Sequence, residues 1–160
     1  MTIRLATKKD IDTITQMRLL NAQFHANLLG KNVLKPKAEI EVFFRNHTTK
    51  MVDTVNAKIL MITEQEDVVG YVIGILTPDH PIFDFGKNAL VDDVYIRPDF
   101  QGKGYGKALV NNLFDWFRTE NVDQIQLNVY VTNDVARHFW QKMGFSIRTE
   151  RMIQKLTKTA

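Results

Sequence analysis

The chain contains no cysteine. That absence excludes disulfides, a thiolate-ligated zinc site and any covalent intermediate on a cysteine sulfur. The four histidines, at 25, 47, 80 and 138, show no metal-ligand spacing, so no metal is expected. No apolar run is long enough to cross a bilayer, and the opening Met-Thr-Ile-Arg-Leu lacks the basic and apolar regions of a signal peptide. Both features point to a cytoplasmic protein with no membrane partner. Charge of one sign is not concentrated: the formal balance is +3 and the pI near 9.1, but the basic residues are scattered, without a run of five. No nucleic-acid partner is expected from such a surface. What is present, 160 residues of which 44% are hydrophobic and 24% charged, fits one soluble globular domain spanning 1–160.

Hydrophobic periodicity and turn signals divide the chain into elements. Ile3–Ala6 reads as an opening strand, and Thr7 with Asp10 three positions on resembles a capping box. Apolar residues at 11, 14, 17, 20, 24 and 28 then keep a helical period up to Gly30, and Pro36 starts a second helix carrying Ile40, Phe43, Phe44 and His47 on one side. Lys58–Thr63 and Val68–Leu76 form a hairpin across Glu64–Asp67, with Gly70 and Gly74 marking bulges or close backbone approach. Thr77–Gly86 is either a surface loop packed on itself or a lid. Leu90–Ile96, Gly104–Glu120 and Gln124–Val131 make a strand–helix–strand unit with a right-handed crossover. A short helix over Asp134–Met143, stopped by Gly144, leads to a last strand over Phe145–Leu156. This order implies an α/β (α+β) fold: one mixed, mostly antiparallel sheet with helices on both faces.

The stretch Val94–Gly106 organises the rest, because it runs from strand through a glycine-dense loop into a helix. Glycines at 102, 104 and 106 leave backbone N–H groups uncovered where a helix start already has orphan donors and a positive dipole end. Lys107 is followed by Ala108, so the nucleoside-triphosphate pattern fails, and the spacing G-x-G-x-G is not the dinucleotide pattern either. What fits is Q-x-x-G-x-G, Gln101 to Gly106. Alone, such a cluster is equally a flexible turn. It resembles the coenzyme A loop of the GNAT superfamily of N-acetyltransferases, and a second segment agrees: Asn133, Ala136, Phe139, Lys142, Gly144 and Phe145 fall on the spacing of the same superfamily's N-x-x-A-x-x-F-Y-x-K-x-G-F.

The resemblance implies a GNAT-like acyl-CoA N-acyltransferase fold and acetyl-CoA as the acyl donor. Cofactor contacts would come from Gln101, Gly102, Lys103, Gly104, Tyr105, Gly106 and Lys107 at the pyrophosphate, from Asn133 and Trp140 further on, and from a backbone N–H among Val94, Tyr95 and Ile96. With no cysteine to carry the acyl group, transfer goes directly to the acceptor, a primary amine on a small molecule, polyamine-like or otherwise, or on a peptide. A carboxylate on the strand takes the amine's proton. The resemblance favours Asp92, with Asp93 positioning the amine or holding a loop; barring a bulge, strand alternation puts the two on opposite faces, so only one faces the reaction. Both can instead cap turns or pair with Lys or Arg. Trp140 stands where the superfamily commonly has Tyr, and an indole has no usable acidity. Trp140 then orients the sulfur or packs in a core, and Tyr130, Tyr95 or solvent protonates the leaving thiolate. His138 reads as a helix-surface residue. The alternative function is a non-catalytic acyl-CoA-binding sensor or interaction module, and the apolar C-terminal strand could pair across a homodimer.

Overall fold

The computed structural model describes residues 1–30 and 33–156. Five strands, β1 (Thr2–Leu5), β2 (Ala57–Glu64), β3 (Asp67–Thr77), β4 (Asn88–Ile96) and β5 (Gln124–Gln126), form one sheet in sequence order. Neighbours are antiparallel except β4 and β5, which are parallel. The helices are α1 (Ile11–Leu28), α2 (Lys37–Val52), α3 (Tyr105–Thr119) and α4 (Asp134–Lys142). The α/β class, with a mixed and mainly antiparallel sheet, is as the sequence implies.

The chain groups into two units, Met1–Asn128 and the residues from Val129 onward. In the first, strand alternation sends Ile59, Met61, Tyr71 and Ile73 to one face, where they pack with Ile14 and Met17 of α1 and Met51 of α2. The other face meets α3, whose Leu109, Val110, Leu113 and Phe117 are all buried. The apolar spacing of α1 nevertheless misleads in part. Leu20 and Phe24 are about half exposed, and the buried line instead runs through Ile14, Met17, Arg18 and Asn21. On α2 the inward residues are Thr48 and Met51, while Phe43 faces out.

Local chemistry explains the boundaries. Asp10 closes the turn before α1: its Oδ2 accepts from the Thr7 backbone N–H at 2.8 Å and from the Thr7 hydroxyl at 2.9 Å. Arg4 of β1 forks onto both oxygens at 2.9 and 2.7 Å, fastening strand to turn. Gly30 (φ +64°) ends the α1 segment as expected of a C′ residue. The hairpin turns through Gln65 and Glu66, both with positive φ (48° and 77°), the signature of a two-residue type I′ turn.

Gly74 marks a close approach. A Cβ there would lie 2.5 Å from Leu113 Cδ1 and 2.8 Å from Phe117 Cζ, so α3 sits directly on the bare backbone of β3. The Thr77–Gly86 segment is packed on itself: His80, Phe83 and Phe85 cluster with ring centroids 4.9–5.5 Å apart, and His80 Nδ1 accepts the backbone N–H groups of Ile82 and Phe83.

Two expected strands are shorter or absent. The run Gln124–Val131 pairs only over Gln124–Gln126, because the β4–β5 ladder ends at Leu90↔Gln126. Phe145–Leu156 forms no strand among the described residues, and Ile147, Met152, Ile153 and Leu156 are exposed. Propensity alone does not make a strand without a partner.

Two stability predictions follow from these contacts. Gly74→Ala forces methyl against a filled core and costs about 1–3 kcal/mol, read as a lowered midpoint in urea unfolding. The Arg4 fork, then the Thr7 donors, hold the Asp10 carboxyl down at about 2, below its ordinary value of 3.8. A lowered folded-state pKa contributes stability that is present above the ordinary value and lost as pH falls toward the folded one. Asp10→Asn therefore removes part of the decline in melting temperature between about pH 4 and pH 2.

Candidate active site

In the β3–β4 ladder Ile73 faces Asp93 but Gly74 faces Val91, which leaves Asp92 as an extra residue, a β-bulge. The bulge overturns the strict alternation expected for Asp92 and Asp93. Both carboxylates meet the same guanidinium: Arg18 Nε lies 3.1 Å from Asp93 Oδ2, and Arg18 Nη2 lies 3.7 Å from Asp92 Oδ2. A bulge bends its strand, and the β4–β5 pairing ends two residues before this one.

The two carboxylates differ in what they hold. Asp93 is saturated: it accepts from Arg18 Nε, from Asn21 Nδ2 at 2.7 Å and from the Tyr71 hydroxyl at 2.8 Å. Tyr71 is fully buried, and burial first, then the adjoining Asp93 charge, pushes its hydroxyl well above the usual phenol range. Asp92 accepts no hydrogen bond from the described residues. Among the described residues its one close cation is the Arg18 guanidinium at 3.7 Å. Burial raises the Asp92 carboxyl above its ordinary value; the Arg18 charge opposes that shift and the Asp93 charge adds to it.

Arg18 is itself 5% exposed. Its Nη1 points at His47 Nδ1 (3.1 Å) and Thr48 Oγ1 (3.4 Å) on α2, and its guanidinium stacks 4.5 Å over the Phe44 ring. Arginine has only donors, so His47 Nδ1 accepts and the imidazole is neutral. Burial, then the Arg18 cation, lowers the His47 pKa in keeping with that state. His25, whose pKa burial also lowers, feels the Asp93 charge.

The edge of β4 beyond the bulge has a defined polarity. Arg97 donates its backbone N–H to Val69 O of β3 at 2.9 Å. By alternation the amide of Tyr95 shares that side, and those of Val94 and Ile96 face the other edge. The carbonyls agree, since Val94 O and Ile96 O accept from Asn21 Nδ2 (3.4 Å) and Gln101 Nε2 (2.8 Å).

Downstream, a short turn over Pro98–Phe100 leads into Gln101–Gly106 and then α3. Gly102 (φ +73°) and Gly104 (φ +87°) adopt left-handed backbone, and a Cβ on either would meet no protein atom within 4 Å. The glycines are thus required by conformation, and the space above them is open to a ligand. Several side chains expected at the cofactor are engaged within the loop. Gln101 ties it to β4, Lys103 Nζ donates to Asp99 O at 2.8 Å, and Tyr105 packs edge-on against Phe100. Lys103 is exposed, as is Lys107 in the first turn of α3, where the backbone N–H groups of Tyr105, Gly106 and Lys107 lack intrahelical partners.

Tyr130, Asn133 and Trp140 belong to the second unit. Asn133 caps α4, its Oδ1 accepting the Ala136 N–H at 3.1 Å. Trp140 is buried between Phe139 and Phe145, with ring centroids 4.9 and 5.3 Å away, both edge-on. Tyr130 is 46% exposed. His138 Nδ1 lies 2.7 Å from Asp134 O along the helix surface.

Arg18, Asn21, His47, Thr48 and Tyr71 are the site residues that the motifs do not reveal. Their signal was available for α1: a helix line through positions 14, 18, 21 and 25 that turns from apolar to polar while remaining on the core side.

The profile of the Acetyltransferase (GNAT) family matches residues 24–145. The chain is 31% identical over 100 residues to the L-amino acid N-acyltransferase MnaT of Escherichia coli, covering 62% of this chain and 56% of that protein. It is 38% identical over 53 residues to a spermidine N(1)-acetyltransferase of Vibrio cholerae, covering 32% of this chain and 31% of that protein. The chain spans about half the length of several curated relatives it matches. Among solved structures, a mutant of the BH1408 protein from Bacillus halodurans superposes with a TM-score of 0.86 at 21% identity, covering 98% of this chain and 100% of that one. An aminoglycoside N-acetyltransferase, AAC(6')-Iy, in complex with CoA gives 0.72 at 14% identity, covering 99% and 100%. With a profile match over more than half its length and the same fold in these neighbours, the chain belongs to the acetyltransferase (GNAT) family.

Proposed function

We propose that the protein transfers the acetyl group of acetyl-CoA directly to a primary amine, with Asp92 accepting the proton that the ammonium must lose. The observation that carries this reading is the asymmetry of the acidic pair: Asp93 is saturated by three donors, whereas Asp92 stands on a bulge with its oxygens available and its pKa raised by burial. A base works best when its pKa approaches the working pH. The cofactor supplies an activated thioester. For the oxygen that gains charge, the candidates are the N–H groups of Val94 and Ile96, which point away from β3. The uncovered backbone of Gly102–Gly106 and the start of α3 suit a pyrophosphate. For the proton taken up by the leaving thiolate, Tyr130 is the candidate on the sequence resemblance.

The acceptor is a primary amine that is cationic at neutral pH, borne by a small molecule or a peptide. The MnaT and spermidine acetyltransferase relatives are named for an amino acid and a polyamine respectively, and both classes belong in the panel to be tried. A site with two free carboxylates would favour a polyamine. Of the pair here, only Asp92 accepts no hydrogen bond from the described residues, which supports a single-ammonium contact.

Thermal unfolding with acetyl-CoA, followed by thiol release on an amine panel, tests the assignment. Ligand at roughly a hundred times its dissociation constant stabilises by about 2.7 kcal/mol. Asp92→Asn keeps that stabilisation and loses roughly a hundred- to ten-thousand-fold in turnover. A protein that only senses acyl-CoA shows the stabilisation and releases no thiol with any amine. In the wild type the rate rises with pH through a limb above the ordinary carboxylate value, because the working form of Asp92 is the ionised one. Tyr130→Phe lowers kcat if that phenol protonates the thiolate, and leaves it unchanged if solvent does.

A further inference from the structure

We propose that Arg18 is the positioning residue for the Asp92 carboxylate. This rests on the reading of Asp92 as the proton acceptor. Nε of Arg18 is engaged by Asp93 (3.1 Å), and Nη1 by His47 Nδ1 (3.1 Å) and Thr48 Oγ1 (3.4 Å). The guanidinium is planar and rigid, so fixing two of its nitrogens fixes the third. That third nitrogen, Nη2, is the one facing Asp92.

The bulge makes the arrangement possible. With regular pairing, Asp92 and Asp93 would lie on opposite faces and no single side chain would reach both. With Asp92 extruded from the ladder, one guanidinium spans the pair. The roles are then divided: Asp93, held also by Asn21 and Tyr71, anchors Arg18, and Arg18 presents a countercharge to Asp92 without closing on it. At 3.7 Å the contact is longer than a charge-assisted hydrogen bond, which runs about 2.7–2.9 Å. Asp92 is thereby steadied while its oxygens stay free for an incoming ammonium.

The charged and titratable groups that bear on Asp92 are Arg18 from α1, His47 from α2 and Asp93 on β4 itself. His47 in turn faces Arg18, Asp92, Asp93 and Lys50. Arg18 is the one permanent cation in contact with Asp92 among the described residues. Its removal therefore moves the titration of Asp92 upward, and replacement by Lys does so to a smaller extent. Lys keeps the charge but has no fork with which to hold Asp93 and reach Asp92 together.

The test follows the carboxyl carbon of Asp92 by NMR in ¹³C-labelled wild type, Arg18→Lys and Arg18→Met, with the signal identified by its loss in Asp92→Asn. The expected result is an upward titration midpoint in both variants, larger in Arg18→Met. The acid limb of kcat/KM, measured with acetyl-CoA and the amine found in the panel, moves by the same amount, and kcat at neutral pH falls by roughly ten- to a hundredfold, as for a misplaced catalytic group. Should Arg18→Met fail to fold, Arg18→Lys decides alone. An unmoved Asp92 midpoint in folded Arg18→Lys overturns the proposal. A midpoint that moves while the rate limb stays put upholds Arg18 as the partner of Asp92 and rejects Asp92 as the base.

Discussion

The buried contact between Arg18 and Asp93 is the constraint on which the rest of the first unit depends. Removing two charges from water is expensive, and their attraction offsets that cost only when the remaining donors and acceptors are also satisfied. Here most of them are: Asn21 and Tyr71 complete Asp93, His47 and Thr48 engage Nη1 of Arg18, and Nη2 faces Asp92 at 3.7 Å. The donors and acceptors come from α1, α2, β3 and β4, so one network fixes the angle of two helices against the middle of the sheet. Loss of either ionic partner would leave an uncompensated charge in a largely buried setting.

Around that network the molecule assigns its tasks to different kinds of group. The glycine loop presents backbone: left-handed glycines and an exposed helix start. The carboxylate pair presents side chains held by other side chains. This division explains why Gln101 and Lys103 bond to the backbone oxygens of Ile96 and Asp99 and Tyr105 packs on Phe100. A loop that presents N–H groups needs its shape fixed more than it needs further charge, and those three residues fix it.

How much of this was legible in the chain follows the same division. Backbone features leave local signatures, so Gln101–Gly106, the Thr7–Asp10 turn, the Gly30 stop and the Asn133 cap could all be read from spacing. Long-range side-chain networks leave almost none. Arg18 lies 75 positions from Asp93, and on a helix whose apolar spacing seemed to run through Leu20 and Phe24. The bulge at Asp92 was unreadable for a related reason: it belongs to the pairing of two strands and not to either strand alone. The stretch after Phe145 teaches the converse, since residues suited to a strand occur there and none forms among the described residues.

Gly74 lies in the same turn of the ladder as the bulge, with Val91 across from it and α3 on its bare face. In a machined part, a surface from which two separate distances are measured is called a datum. Gly74 has that standing here. The depth at which α3 seats, and with it the height of the loop that opens α3, is set at the same point on β3 where β4 takes up its extra residue. A side chain at Gly74 would therefore disturb the seat of α3 and the bulged pairing beside Asp92 together.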